Sequence, residues 1–509
     1  MPRTLVPPLR ADLTWDVAGE GEDAVFRLVD ARLGRTLRID RRGREVALML
    51  DRPQTAEALG GRIASTGRPM AADALDRVIA AFEGLGLLET ESVEAEADAA
   101  ADARDRLRED PASVPLLIPD DLRFSCSACG SCCLGVNVGP IGGDVAKAIE
   151  AERARVSGSP LPPRGLFFSM VPEGDDARVV VCQSRNGACV FLEPDGLCRV
   201  HRTMGPASKP RVCRLFPIQF ASTPRGVAVE FQLECRDILR ASRGEPVREA
   251  EVRELLSVAG QIHTVRPFVS LDGEIAFGFD EFEAVEASVL EAVAGTADGG
   301  FGPVLAALRV VAARCAGAGR PFPATVPEVA DLRLRAGAFV GELSDSLGRL
   351  REGHSVESDR VLLDTSNLDL TVECLAAAPF LLDEVLSPDD DAEAGRFARM
   401  VVVNLWRSKE ILSYRDLVTG TAMLGLRWFL TRCLATHRAR QVNRRTALAQ
   451  DLVDAHVVVS LMSRGRRVRT ALDRLVAPIV DLFAHDLDDL VRLRRDVVSV
   501  EPRTEFHVF

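Results

Sequence analysis

Nine of the chain's twelve cysteines lie between Cys126 and Cys235, and four of them form the run Cys126-Ser-Ala-Cys129-Gly-Ser-Cys132-Cys133. No other feature restricts the fold as much. Thiolates at such short spacing are poor hydrophobic-core material and good ligands for soft metals. A Cys-x-x-Cys turn brings two of them to one metal from a compact knuckle. Four such ligands close a tetrahedral zinc site or hold an iron–sulfur cluster. Cys126, Cys129 and Cys132 keep this spacing. Cys133 directly follows Cys132, and neighbouring side chains usually diverge, so one of the pair is expected to serve a second metal or to pack without ligating. Downstream stand Cys182, Cys189, Cys198, Cys213 and Cys235. Eight of the nine thiols would complete two four-cysteine sites or one polynuclear centre, with Cys182 the natural odd one out. His201, three residues after Cys198, is an alternative ligand, although a lone His at a turn is more often exposed or hydrogen-bonded.

Whether these thiols hold metal or pair as disulfides depends on the compartment. The opening residues Met-Pro-Arg-Thr-Leu-Val-Pro-Pro-Leu-Arg carry no apolar signal region, and no stretch approaches the apolar length of a membrane span. A cytoplasmic location with reduced thiols is therefore expected, which favours metal ligation. At 509 residues, 47% apolar and 27% charged, the chain reads as a globular protein of two to four domains. It does not need metal to rescue a tiny fold. The net charge of −12 argues against nucleic-acid binding. Lysine occurs only at Lys147, Lys209 and Lys409. A GC-rich genome is the simplest reason; a lysine-modifying enzyme would also gain from carrying few lysines.

The fold class read from the pattern is α+β, mainly helical. Residues 1–90 form a small α/β unit, with strands at Val25–Val29 and Thr36–Asp40 around a turn at Gly34, and helices at Gly43–Leu50, Thr55–Ala64 and Ala72–Leu85. Residues 91–119 read as an acidic linker, a solvated helix or a mobile tether. Residues 120–279 form the loop-rich cysteine-cluster metal-binding domain, with strands expected at Val179–Val181 and Val227–Phe231. From residue 280 to 509, apolar positions recur at three-to-four spacing, which predicts a helical bundle broken at Pro321, Pro323, Pro327 and Pro388–Asp391. Cys315, Cys374 and Cys433 are expected as core residues there. The segment Arg432–Arg469 holds nine Arg against Asp451 and Asp454. It reads as a solvated face or as a contact for an acidic partner, with the acidic linker as one candidate.

The motif FSCSACGSCCLG, followed by GACVFLEPDGLCRVHRTMGPASKPRVCRLFP, resembles the CxxCxxCC family of zinc- or iron-chelating, YkgJ-type proteins. The second half, with Cys189 to Cys198, Gly205, Pro210, the element Cys213-Arg214-Leu-Phe-Pro217 and then Cys235, is similar to the flagellin lysine-N-methylase branch. So is the later helical segment VVVNLWRSKEILSYRDLVTGTAMLGLRWFL. The resemblance implies Cys126, Cys129, Cys132, Cys133, Cys189, Cys198, Cys213 and Cys235 as metal ligands. It implies an iron–sulfur cluster (4Fe–4S) or zinc as cofactor, S-adenosylmethionine as methyl donor, and a protein or peptide substrate. Arg214 and Pro217 would then have structural roles. The order of elements in residues 1–90 resembles a winged-helix, PqqD-like domain, a fold that recognises peptides.

The frameworks common among methyltransferases are missing. No Gly-rich loop follows a strand with an acidic residue beyond it; Gly139–Gly143 and Gly295–Gly300 read as turns. The Cys-x2-Cys-x2-Cys spacing is also not that of radical S-adenosylmethionine enzymes. A methylase of this kind would need a carboxylate to position or deprotonate the amine, with Glu193, Asp195 and Glu234 nearest the ligands in sequence. The alternative function is a non-catalytic zinc- or iron-binding adaptor or metal-handling protein.

Overall fold

The structure is a computed structural model that describes residues 5–483 and 498–499, apart from 19–24, 34, 135–137, 158–166, 174–176, 183, 186–187, 240–243, 261, 266, 273–275, 297–299, 318–328, 354–364, 387–391, 415, 465–467, 469–471 and 473–474. The turn at Gly34 and the predicted breaks at Pro321–Pro327 and Pro388–Asp391 lie outside the described residues. The architecture is mainly helical with small sheets.

At the N-terminus, strands β1 (Thr14–Ala18), β2 (Val25–Asp30) and β3 (Arg35–Ile39) form an antiparallel meander in which Leu28 stands opposite Trp15 and Leu37. Val498–Ser499 pairs with the free edge of β3. Three helices follow, α1 (Arg41–Met49), α2 (Ala56–Ser65) and α3 (Ala72–Gly84). Asp40 and Thr55 cap the first two by accepting the Gly43 and Ala58 N–H groups, which would otherwise be orphaned. Leu28, Leu37, Val46, Leu59, Ile63, Leu75 and Phe82 meet in one small core.

Beneath that core lies a buried charge network. Asp30, fully buried, sits between the equally enclosed Arg10 (3.1 Å) and Arg35 (2.9 Å). Arg10 and Arg35 also donate to the carbonyls of Gly86 and Leu85 at the end of α3. Gly86 has φ +63, and a side chain there would strike the ring of Phe268, over which Arg35 also lies at 5.7 Å. The N-terminal unit is thus seated on the body of the protein through one arginine and one glycine.

The acidic linker is a single helix, α4 (Glu91–Glu109), capped by Thr90. It buries Val93, Ala97 and Ala103. Its acids are divided between two neighbours: Arg32 of the N-terminal unit pairs with Glu94 and Asp98, and Arg225 pairs with Glu96. The acidic linker, one candidate partner for Arg432–Arg469, thus finds these arginine partners elsewhere. Where that segment is described, Arg438 pairs with Asp454, Arg440 with Glu384 and Arg444 with Asp451. Arginine-rich stretches with acids one helix turn or one neighbouring helix away neutralise themselves, which a count along the sequence does not reveal.

In the central region the hairpin Ile218–Thr223/Gly226–Phe231 is flanked by the parallel pieces His263–Thr264 and Leu116–Leu117. A second ribbon joins Phe168–Glu173 to Ala177–Cys182. The helices beyond residue 279 pack around Leu417–Gln441, which is buried on nearly all faces because neighbours surround it. Cys315, Cys374 and Cys433 are fully buried among them. One continuous core runs from Leu122, through Phe231 and Cys235, to Phe483. A separate smaller core contains Val138, Phe167, Cys182, Cys189, Phe191 and Val200. Among the described residues no helix is long and apolar enough to cross a membrane.

Candidate metal centre

The knuckle starts where Arg123–Phe124 pairs with Glu245–Pro246 and the Phe124 ring packs on Phe231 at 5.6 Å. The chain then turns through two left-handed residues, Ala128 (φ 56) and Gly130 (φ 71), into a 3-10 turn at Ser131–Cys133. A buried carboxylate fixes this turn from outside. Asp237 accepts the Ser127 N–H and the Ser127 hydroxyl, both at 2.7 Å. Since Asp237 follows Cys235 by two residues, this one clamp brings the last cysteine of the set to the first.

The second half is built as a tight hairpin. Cys189 ends the short strand Ala188–Cys189, and Leu192 bridges to Cys198 across the turn Glu193–Leu197. Gly196 there has φ +82, and a Cβ would collide with the Ala128 carbonyl. Reciprocally, a Cβ on Gly130 would come within 3.2 Å of the Gly196 Cα. The knuckle and the hairpin touch backbone to backbone, a contact that only two glycines permit. Neither glycine was singled out from the sequence; each lies within a quoted motif, but the crossing is a long-range fact. Cys198 and Cys235 stand immediately before the short helices Arg199–Met204 and Arg236–Leu239, and Cys213 lies within Arg211–Leu215.

The sulfurs of six of the eight predicted ligands, and of Cys182, are linked. Cys132 and Cys133 Sγ lie 4.0 Å apart, so this neighbouring pair does not diverge. That separation is near the ~3.8 Å edge of a tetrahedron built on zinc–sulfur bonds of about 2.3 Å. Cys133 and Cys189 act on one another, as do Cys189 and Cys182, and the buried Cys182 and Cys189 share one small core against which Cys133 packs. Cys213 feels Cys133, Cys189 and Cys198, while Cys235 feels Cys132. Cys126 and Cys129 are exposed on the outer side of the knuckle, and Cys129 contacts the Ser131 hydroxyl at 3.3 Å. Among the described residues no three Cys, His, Asp or Glu groups yet converge as a metal ion would hold them. His201 is exposed on its helix.

The electrostatics fit a cation. The contact with Cys133 pushes the Cys132 thiol far up, although this side chain is exposed at the surface of the knuckle. Cys133 is pushed up to about 12: its contact with Cys132 opposes the rise, but Cys189 and burial prevail. At Cys189 the contact with Cys133 likewise opposes, while Cys182 and burial raise it to about 12. Burial raises Cys213, and raises Cys235 to about 12. Crowded, buried thiols cannot all ionise unless a positive charge joins them. Backbone N–H groups already point at several sulfurs: Ala128 at Cys126 (3.4 Å), Phe191 at Cys189, and Asp237 and Ile238 at Cys235. Such donors stabilise thiolates once a metal forms them.

Residues 125–236 match the family model CxxCxxCC, described as "Putative zinc- or iron-chelating domain". The matched stretch runs over all nine clustered thiols, from Cys126 to Cys235. No curated protein and no solved structure matches the chain.

Two of the carboxylates nearest the ligands are already engaged. Glu193 pairs with Arg199 (2.9 Å) and Arg202 (2.6 Å), and Asp195 with Arg202. These pairs fasten the hairpin to the helix after Cys198. The clamp gives a first test. Asp237→Asn removes half of the ionic grip on Ser127, and a partner of this kind is worth about 10–100-fold in metal affinity. Competition against a chromogenic chelator is expected to show a loss in that range with metal stoichiometry unchanged; equal affinity would remove Asp237 from the site.

Behind the knuckle, Glu230 is only 5% exposed, and burial pushes its carboxyl up to about 7. The Phe231 N–H (2.9 Å), Arg407 and Asn404 oppose that rise, whereas Asp121 adds to it. With a folded value above its ordinary 4.5, Glu230 favours folding fully below pH ~4.5 and loses that contribution as pH rises towards 7. Glu230→Gln is therefore expected to stabilise the protein by about 3 kcal/mol at pH 8 and by almost nothing at pH 4, read from denaturation midpoints.

Proposed function

We propose that residues 126–235 hold zinc or an iron–sulfur centre through Cys126, Cys129, Cys132, Cys133, Cys189, Cys198, Cys213 and Cys235. The observation that carries this reading is the gathering of thiols from five separate segments, with Asp237 clamping the first segment to the last. This reading divides the eight into two groups joined at the Cys132–Cys133 pair: Cys133, Cys189, Cys198 and Cys213, which act on one another, and the exposed Cys126, Cys129 and Cys132 with the buried Cys235. Metal and sulfide analysis of anaerobically purified protein tests it. Brown protein with acid-labile sulfide identifies an iron–sulfur centre, colourless protein with stoichiometric zinc identifies zinc, and protein with neither metal overturns the reading.

The finer reading, a cytoplasmic S-adenosylmethionine-dependent lysine N-methylase, is supported by the resemblance of the Cys189–Cys235 half and by the near-absence of lysine from the chain. In that reading the N-terminal unit, residues 1–90, docks the peptide substrate. The bound centre orders the site, and a lysine amine of the substrate attacks the methyl group of the sulfonium. Glu193 and Asp195 are already held by Arg199 and Arg202. Calorimetry of metal-loaded protein with S-adenosylmethionine decides it: no binding and no methylation of lysine peptides leaves the metal-binding adaptor.

A further inference from the structure

Where the N-terminal unit meets the body of the protein there is a cavity whose described lining contains no cysteine. It holds about 490 Å³ of empty space, its open mouth included, which is the size of a small-molecule site. Leu37 and Leu85 line it from the N-terminal unit, and Phe268, Leu412 and Leu417 from the body. The walls are thus mainly apolar, with Arg35, Ser270, Tyr414 and Asp416 as the polar members. Arg35 is the one cation among the described lining residues, and it is already engaged. Asp30 holds it at 2.9 Å, and it donates to the Leu85 carbonyl at 2.6 Å.

Asp416 sets the chemistry of this cavity. It caps the long helix Leu417–Gln441 by accepting the Thr419 N–H at Oδ1 (2.7 Å). Asp416 is only 3% exposed, and its Oδ2 has no hydrogen-bond partner among the described residues. The hydroxyl of Thr419 is also buried without a partner. Capping alone does not require this. Asp40 caps α1 in the same way, accepting the Gly43 N–H at 2.6 Å, but it stands at the surface, within reach of water. A carboxylate oxygen buried without a donor costs more than an ordinary hydrogen bond contributes. The missing donor must come from outside the lining.

We propose that this cavity binds a primary alkylammonium group, with its apolar stem against Leu37, Leu412 and Leu417 and its head donating to Asp416. The walls suit an apolar stem, and the carboxylate suits a positive donor. An ammonium carries three donors, enough for the Asp416 oxygen and the Thr419 hydroxyl together. Free amines and the lysine side chain of a protein share this chemistry. The inference is independent of the metal centre proposed above.

Calorimetry of the full-length protein with n-hexylammonium chloride tests this, with n-hexanol as the uncharged probe of similar shape. The ammonium is expected to bind about tenfold or more tightly than the alcohol, the difference that a hydrogen bond between charged groups makes. Asp416→Asn, which keeps a good helix cap, is expected to abolish that preference, while Asp40→Asn, outside the cavity, leaves it unchanged. A peptide with a single lysine and blocked ends separates the two sources. Tighter binding than n-hexylammonium assigns the site to a protein lysine, and weaker binding assigns it to a free amine. Binding of neither small probe, equal affinity for both, or an ammonium preference that survives in Asp416→Asn overturns the proposal. The two probes are compared on wild-type protein, so the proposal stays open to refutation even if the variant does not fold.

Discussion

Gly196→Ala is expected to strip the centre of most of its metal, with affinity falling by about 100-fold, because the knuckle meets the Cys189–Cys198 hairpin by direct backbone contact. Two effects combine at this glycine. Gly196 holds φ +82, a conformation that costs an alanine about 1–2 kcal/mol. The added Cβ would also run into the Ala128 carbonyl and meet the Ala128 carbonyl carbon at 3.0 Å. Backbone cannot rotate away as a side chain can, so either the knuckle or the hairpin must move. That displacement separates Cys126, Cys129 and Cys132 from Cys198. Gly67→Ala isolates the first effect, since Gly67 has φ +79 and open space around it. Metal titration by chelator competition should leave Gly67→Ala near wild type. If Gly196→Ala bound metal as tightly as Gly67→Ala, the backbone crossing would not be what assembles the site.

That crossing also marks the limit of what could be read from the residues alone. The strands expected at Val25–Val29 and Val227–Phe231, and the burial of Cys315, Cys374 and Cys433, follow from local pattern and appear in the fold, the strands as Val25–Asp30 and Gly226–Phe231. Ser127 and Asp237 are 110 residues apart, and neither carries a local signal of the other. The same holds for Gly130 against Gly196 and for Arg225 against Glu96. The sulfurs of Cys132 and Cys133 stand 4.0 Å apart for a local reason: the 3-10 turn is entered through two left-handed residues. At Arg432–Arg469 a count along the sequence does not show the pairing, because helices place acids beside arginines in space.

The largest effect on stability is expected at Asp30→Asn, with the N-terminal unit losing about 3–5 kcal/mol at neutral pH. Burial alone would raise the Asp30 carboxyl, but Arg35 and Arg10 outweigh it and hold the group below its ordinary value. A carboxylate depressed in the folded state stabilises above its unfolded value, near 3.8, and loses this as pH falls through the lower folded value. The gap between wild type and Asp30→Asn should therefore close on strong acidification. At neutral pH the substitution leaves Arg10 and Arg35 enclosed without their shared anion. Arg10 retains Asp12 at 2.6 Å; Arg35 retains only neutral partners among its closest contacts, the Leu85 carbonyl and the Phe268 ring. Because Arg35 and Gly86 seat the unit on Phe268, the damage should reach the docking surface as well as the small core. Limited proteolysis is expected to release residues 1–90 from Asp30→Asn while the helical core resists. Replacing all three charges with apolar residues of similar volume should restore most of the stability, since an ion cluster is costly mainly when it is incomplete. Restored stability without restored docking would separate the two roles of Arg35, and an Asp30→Asn protein within ~1 kcal/mol of wild type would show that the triad contributes neither.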